Sequence, residues 1–173
     1  FLRVVADRAG LRLAGPVSLD GAAAQAVWER PFGGPNSGSS QVKAEVDITP
    51  DVLSALNINL PSGTLAGEGT GLLTIDLKEG ALPAFTLQSD LRGLRVSIPA
   101  VGWSKSPNQQ GALLVEGTFG AVPEITNLEI AGAGLNAQGR IVLAAGGGLQ
   151  SATFRRVQIA DWLAAPGTLR GRG

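Results

Sequence analysis

The chain has 173 residues, with 14 Lys and Arg against 14 Asp and Glu, and no Cys, His, Tyr or Met. Zero net charge argues against a nucleic-acid partner, and the missing residue types remove disulfides, Ser-His and Cys-His nucleophile systems and His-based zinc sites. Charged residues make up only 16% and aromatics only 5%, against about 25% charged in ordinary soluble domains, so much small aliphatic surface lies under a thin polar coat.

Short strands are predicted at Leu2–Ala6, Leu11–Ala14 and Val17–Leu19, split by Gly15-Pro16, and then at Ala22–Glu29. Residues 31–40, P-F-G-G-P-N-S-G-S-S, read as a mobile loop of turn formers. Gln41–Ile48 is the cleanest strand: Val42, Ala44, Val46 and Ile48 alternate with Gln41, Lys43, Glu45 and Asp47, so one face is apolar and the other wet. Thr49-Pro50-Asp51 opens a short helix running to about Asn57, with Thr49 as cap and Asp51 at the positive end of the dipole. Val52, Leu53 and Leu56 would plug one end of a sheet.

Strands then follow at about 64–78, 83–91, 93–99, 111–118, 124–131, 134–144 and 150–159, with glycines and prolines between them. Alternation recurs at Leu73, Ile75, Leu77, at Phe85, Leu87, Leu91, at Leu94, Val96, Ile98, and at Leu135, Ala137, Ile141, Leu143. It slips around Phe154, Val157 and Ile159, which predicts a bulge. A second short helix is expected at Ala160–Ala164, before Pro166. Short connections favour neighbours pairing antiparallel in order.

The expected fold is therefore one all-β segment over residues 1–173: a long antiparallel meander of roughly ten to twelve strands, curled into a twisted half-pipe with an open groove and one or two short helices. A closed β-sandwich or barrel is the alternative; its apolar face would then be ordinary core, and the chain a structural or protein-interaction module. So little helix is available that something else must cover the apolar faces.

Chemistry-bearing motifs are weak. Glu45 and Asp47 share a strand face, as paired carboxylates could, but a solvated face explains them. Lys43, Lys78 and Lys105 are the only lysines, which leaves a Ser-Lys dyad few candidates. Gly67-Glu68-Gly69-Thr70-Gly71 opens no helix and no Gly-Lys-Ser/Thr follows, so a glycine-punctuated strand fits better than a phosphate loop. Arg155-Arg156 has no interleaved aromatics. The reading is non-enzymatic, with no cofactor and no metal.

The candidate site is instead an apolar groove. Its lining would be Val42, Ala44, Val46, Leu73, Ile75, Leu77, Leu94, Val96, Ile98, Leu113, Val115, Ile141 and Leu143. Trp28, Trp103 and Trp162 would stand at its rim, where a ring meets both apolar wall and water.

The phrase D-L-R-G-L-R-V-S-I-P-A-V-G-W-S-K at Asp90–Lys105, the strand G-A-L-L-V-E-G at 111–117 and I-T-N-L-E-I-A-G-A-G-L-N-A-Q-G-R-I-V-L at 125–143 come in a distinctive order. With Leu149–Ile159 after them and the Thr49–Pro61 helix before Gly67-Glu68-Gly69, this order resembles the AsmA-like family of bacterial envelope proteins. The likeness covers about residues 40–160 and is greatest to the large YhdP-like members with a DUF3971 region. The resemblance implies a segment of a long protein anchored in the inner membrane and extending through the periplasm. It also implies a β-groove lined with apolar residues that passes phospholipids toward the outer membrane. It carries no catalytic residue over.

The partners expected are phospholipid acyl chains and adjoining segments of the same parent chain. Opening on Phe1 and closing on Leu169–Gly173, the chain reads as a piece of a longer protein. Leu2–Val5 and Thr168–Arg172 would then be raw sheet edges, open to self-association. A proline at Val5 is expected to reduce it.

Overall fold

The structure, a computed structural model, describes residues 1–19, 22–35, 37–55, 60–99, 102–144, 148–160 and 163–170. In chain order the strands are β1 (Arg3–Ala6), β2 (Gly10–Leu19), β3 (Ala22–Pro31) and β4 (Ser39–Ile48), then helix α1 (Pro50–Ala55). There follow β5 (Leu65–Gly67), β6 (Gly69–Lys78), β7 (Ala84–Ser89), β8 (Leu94–Ile98), β9 (Trp103–Lys105) and β10 (Ala112–Thr118). The chain ends with β11 (Glu124–Gly132), β12 (Leu135–Leu143), β13 (Leu149–Ile159) and β14 (Leu163–Arg170).

Eleven strands form one open antiparallel sheet in the order β1-β2-β3-β4-β6-β7-β10-β11-β12-β13-β14. The ends of that order are β1 and β14, so the sheet is not closed, and the barrel alternative is set aside. The expected meander is corrected in one respect. β5, β8 and β9 leave it to form a separate three-stranded sheet, which packs on the apolar side of the large one near Ile48, Leu135, Ala137 and Ile159.

The glycine run predicted as one strand over 64–78 is where the chain passes from the small sheet to the large. Gly67 has φ +90° and Gly93 has φ +77°, and a Cβ on Gly67 would sit 2.4 Å from the Gly93 carbonyl oxygen. No other residue allows two backbones so close. β9 is a further departure, a strand of only three residues with too few positions to show a period.

Several local expectations hold or shift for identifiable reasons. Thr49 caps α1, its Oγ1 accepting from the Val52 N–H at 3.1 Å. The helix spans Pro50–Ala55, and Leu56 and Asn57 lie outside the described residues. Pro16 does not break β2. It lies opposite Gln25 of β3, beyond the stretch Leu11–Ala14 that β1 covers, so its missing N–H interrupts no ladder. The loop expected over 31–40 is shorter: Pro31 ends β3, Ser39 and Ser40 open β4, and 32–38 connect them, with Gly34 and Gly38 in the left-handed region and Asn36 outside the described residues.

The predicted bulge is present as a register shift between Phe154 and Val157. The second helix is corrected: Ala160 is a turn with φ +45°, and strand β14 begins at Leu163. Alanines there suit a helix by propensity, but pairing with β13 wins.

Candidate functional site

Cross-strand partners in a sheet point to the same face, so the register shows what each face carries. One row crosses all eleven strands of the large sheet: Val4, Leu13, Trp28, Val42, Ile75, Phe85, Gly117, Ile125, Ile141, Ala152 and Leu169. Every member is apolar or glycine. The next row on that face runs Gly15, Ala26, Ala44, Leu73, Leu87, Val115, Leu128, Gly139, Phe154 and Gly167, with the same character.

The back-face row on the other side of the first apolar row reads Val5, Arg12, Glu29, Gln41, Asp76, Ala84, Thr118, Glu124, Val142, Ser151 and Arg170. Its groups satisfy one another and water: Arg12 pairs with Glu29 at 3.3 Å, and Gln41 Nε2 donates to Asp76 Oδ1 at 2.7 Å. Further along, Gln138 and Asn127 both donate to Glu129 Oε1. Two open depressions, of about 620 and 1020 Å³, have mixed polar and apolar linings that include the back-face residues Gln88 and Glu129 in one and Arg12, Glu29, Gln41 and Asp76 in the other. On the apolar face Ile75, Ile125 and Ile141 are half-exposed, so that face is an open wall there.

Of the predicted lining, Val42, Ala44, Val46, Leu73, Ile75, Leu77, Val115, Ile141 and Leu143 share this face. Leu113 is on it too, at the end where the small sheet lies. Leu94, Val96 and Ile98 are a correction: they belong to β8 of the small sheet and point into the interface between the sheets. Leu94 is 0% exposed, so no ligand on the wall can reach it.

The rim tryptophans are corrected as well. Trp103 is buried in the same interface, its indole N–H donating to the Ala133 carbonyl at 3.0 Å. Trp28 stands in the wall itself, between Leu13 and Val42, with Arg30 the next residue on its face. Trp162 lies outside the described residues. Sequence reading passed over Leu13, Phe85, Ile125 and Leu128 as wall residues. The rings of Phe85 and Phe119 lie 4.6 Å apart. Their signal was alternation, blurred in β11 by a register shift between Ile125 and Leu128.

The Asp90–Lys105 phrase builds the cover. Leu91 adopts φ +57° and Ser89 Oγ accepts its N–H, which turns the Leu91 carbonyl inward. Lys105, fully buried, donates from Nζ to the carbonyl oxygens of Leu91 (2.6 Å), Leu94 (3.0 Å) and Ser106 (3.0 Å). Those acceptors use all three ammonium protons. Burial pushes the Lys105 pKa down from 10.5, and nearby Asp90 opposes the shift. Trp103 and Lys105 alternate inward around Ser104, so the W-S-K end of the phrase is an anchor, locking β9 and β8 onto the turn that precedes them.

Among the described residues no helix is long and apolar enough to cross a membrane, and no group of three or more metal-ligating side chains gathers. No family model, curated protein or solved structure matches the chain.

Proposed function

We propose that this chain is a non-enzymatic lipid-binding segment of a periplasmic β-groove protein of the AsmA-like, YhdP-like kind, its parent anchored in the inner membrane and passing phospholipids toward the outer membrane. One observation carries the reading: an apolar row runs unbroken across all eleven strands, and the small sheet covers only one end of the face it belongs to. An open apolar surface of this extent on a folded domain marks an interaction site.

Acyl chains suit it. Each methylene taken from water contributes about 0.8 kcal/mol, and a wall of aliphatic side chains gives them a continuous track from strand to strand. The interior rows of the wall offer no placed polar groups to grip a headgroup, so binding would be unselective among phospholipids. Arg12, Glu29, Lys43, Asp76 and Arg140 lie on the back face, where they keep the segment wetted, and Arg30 is on the wall face beside Trp28, towards one margin of the track.

Photocrosslinking tests this. A photoreactive residue at Ile75 or Ile141, both on the open wall, should label phospholipid in membranes or vesicles. The same residue at Lys43, on the back of the strand next to that of Ile75, or at Arg140, on the back of the strand of Ile141, should not. Equal labelling from both pairs would sink the proposal.

A further inference from the structure

An apolar face should exclude charge, and one residue on the wall does not comply. Among the described residues, every charged side chain paired in the ladders of the large sheet falls on the back face by register except Arg30. Arg30 lies opposite Leu11 of β2 and two positions from Trp28, on the same face. Ser40 of β4 stands one step beyond the Glu29–Gln41 pair, beside Arg30, and lies opposite Leu77 of β6. The margin row of the wall therefore reads Leu11, Arg30, Ser40 and Leu77, and all four line the larger of the two depressions.

The carboxylates nearby are already engaged. Glu29 pairs with Arg12 at 3.3 Å, Asp76 accepts from Gln41 Nε2 at 2.7 Å, and Asp7 Oδ1 accepts the Ala9 and Gly10 N–H groups. Among the described residues no ion pair or side-chain hydrogen bond engages the Arg30 guanidinium. A guanidinium presents a planar fork of donors that fits two oxygens of a phosphate. The half-buried Ser40 hydroxyl beside it is a further donor. The back face already wets the sheet, so solubility does not account for a charge on this side.

The dimensions suit a lipid. From Ser40 to Ile48, where the small sheet covers the face, β4 advances eight residues, about 27 Å at roughly 3.4 Å per residue. One leaflet of bilayer hydrocarbon is about 15 Å, half of the roughly 30 Å core. A lipid held by its phosphate at Arg30 can lay its tails lengthwise over Trp28, Val42 and Ala44 and end short of the lid.

We propose that Arg30, with Ser40, binds the phosphodiester of a phospholipid at the margin of the wall, so that the lipid lies with its headgroup at the margin and its tails toward the small sheet. The proposal rests on the lipid reading of the wall and adds an orientation to it. Phospholipids share this phosphate, so the site does not choose among them. It favours them over lipids with the same tails and no phosphate.

Displacement of an apolar dye from the full chain tests this, with dioctanoylphosphatidylglycerol and dioctanoylglycerol as competitors of equal tail length. Arg30→Gln should weaken the phospholipid about fivefold, the upper range for an exposed ion pair, and leave dioctanoylglycerol unchanged. Arg30→Lys should recover part of the loss, since it keeps the charge but not the fork, and high salt should shrink the parent's advantage. Glycerophosphoglycerol, the same headgroup without tails, should not bind. A phospholipid with a photoreactive headgroup should label Leu11 and Leu77, and one with the photoreactive group at the end of a tail should label Val46. Arg30-dependent binding of glycerophosphoglycerol would mean a site for free phosphate esters and overturns the lipid assignment. Equal labelling of the margin and of Val46 by both probes overturns the orientation. Two lipids that both displace the dye, with Arg30→Gln weakening neither or both alike, overturn the headgroup site and leave the wall reading standing. A parent chain that binds neither lipid removes both.

Discussion

At the covered end of the apolar face, Leu94, Val96 and Trp103 come down from the small sheet and cluster with Ile48, Leu135, Ala137 and Ile159. At the open end, Ile75, Ile125 and Ile141 belong to the same strands or their neighbours, and they stay half-buried, outside the cluster that the small sheet forms with the large one. The residue types hardly differ. What differs is a local device: the turn at Asp90–Gly93 and the W-S-K strand tie a lid to one end, and no comparable phrase exists for the other. Apolar alternation therefore specifies a face, while a few residues with special backbone or buried polar groups decide whether that face becomes core or remains a surface.

The largest effect expected is loss of stability at the covered end. Leu94→Ala should cost about 2–5 kcal/mol and Trp103→Ala about 3–5 kcal/mol, the latter also orphaning the Ala133 carbonyl. Ile75→Ala, on the open wall, should cost only roughly 1–2 kcal/mol because its side chain is half solvated already. Chemical denaturation of the three variants measures the contrast. Equal losses would mean that the two ends are packed alike and that the lid distinction is wrong.

Lys105→Met sharpens the same point. It keeps the length and apolar stem of the side chain and removes its donors, leaving the Leu91, Leu94 and Ser106 carbonyls to find other partners. Each buried unsatisfied carbonyl costs about 1–3 kcal/mol, so a loss of roughly 2–4 kcal/mol is expected, partly relieved by water and by no longer burying a charge. A variant as stable as the parent would show that the ammonium contributes packing alone.

At the open end the effect should fall on binding instead. Ile75→Gln and Ile141→Gln interrupt the apolar row in two strands and should reduce binding of an apolar dye or phospholipid by several-fold, with unfolding shifted by only about 1 kcal/mol. Leu94→Gln, which no wall ligand reaches, should impair folding first. Dye binding that is unaffected by both wall variants would detach the open end from any ligand.

How much of this was legible in the sequence follows from the same contrast. The face was legible because a period of two needs only residue types: Gln41–Ile48 shows it plainly, and Val42, Ile75 and Ile141 lie on one face in the structure. The second sheet was not legible. Leu94, Val96 and Ile98 alternate just as a wall strand does, and only pairing with Leu65–Gly67 and Trp103–Lys105 reveals that they face the wall instead of forming it. Periodicity says which side of a strand is apolar but not which strand lies beside it. The burial of Lys105 was not legible because a lysine is ordinarily solvated, and it depends on the carbonyl that Leu91 turns inward fourteen positions upstream. Trp103 reads equally well as rim or core until its indole finds Ala133.

The smallest effect concerns pH. In the unfolded chain Lys105 holds its proton up to its ordinary pKa of 10.5, whereas in the folded protein burial lowers that value. Between the two the unfolded state binds more protons, so stability rises with pH across the window just below 10.5 and levels off above it. At lower pH the lysine is charged in both states, and the folded protein carries the full cost of burying that charge, offset by its three carbonyl acceptors. Tyrosine and cysteine are absent, so few other groups titrate there; Lys43 and Lys78 are both exposed. Denaturation midpoints of the parent and of Lys105→Met, measured across that window, should converge or diverge by the parent's rise alone, the methionine variant staying flatter. If the two profiles run parallel, the buried ammonium keeps an ordinary pKa, and the three carbonyls then offset its burial in full.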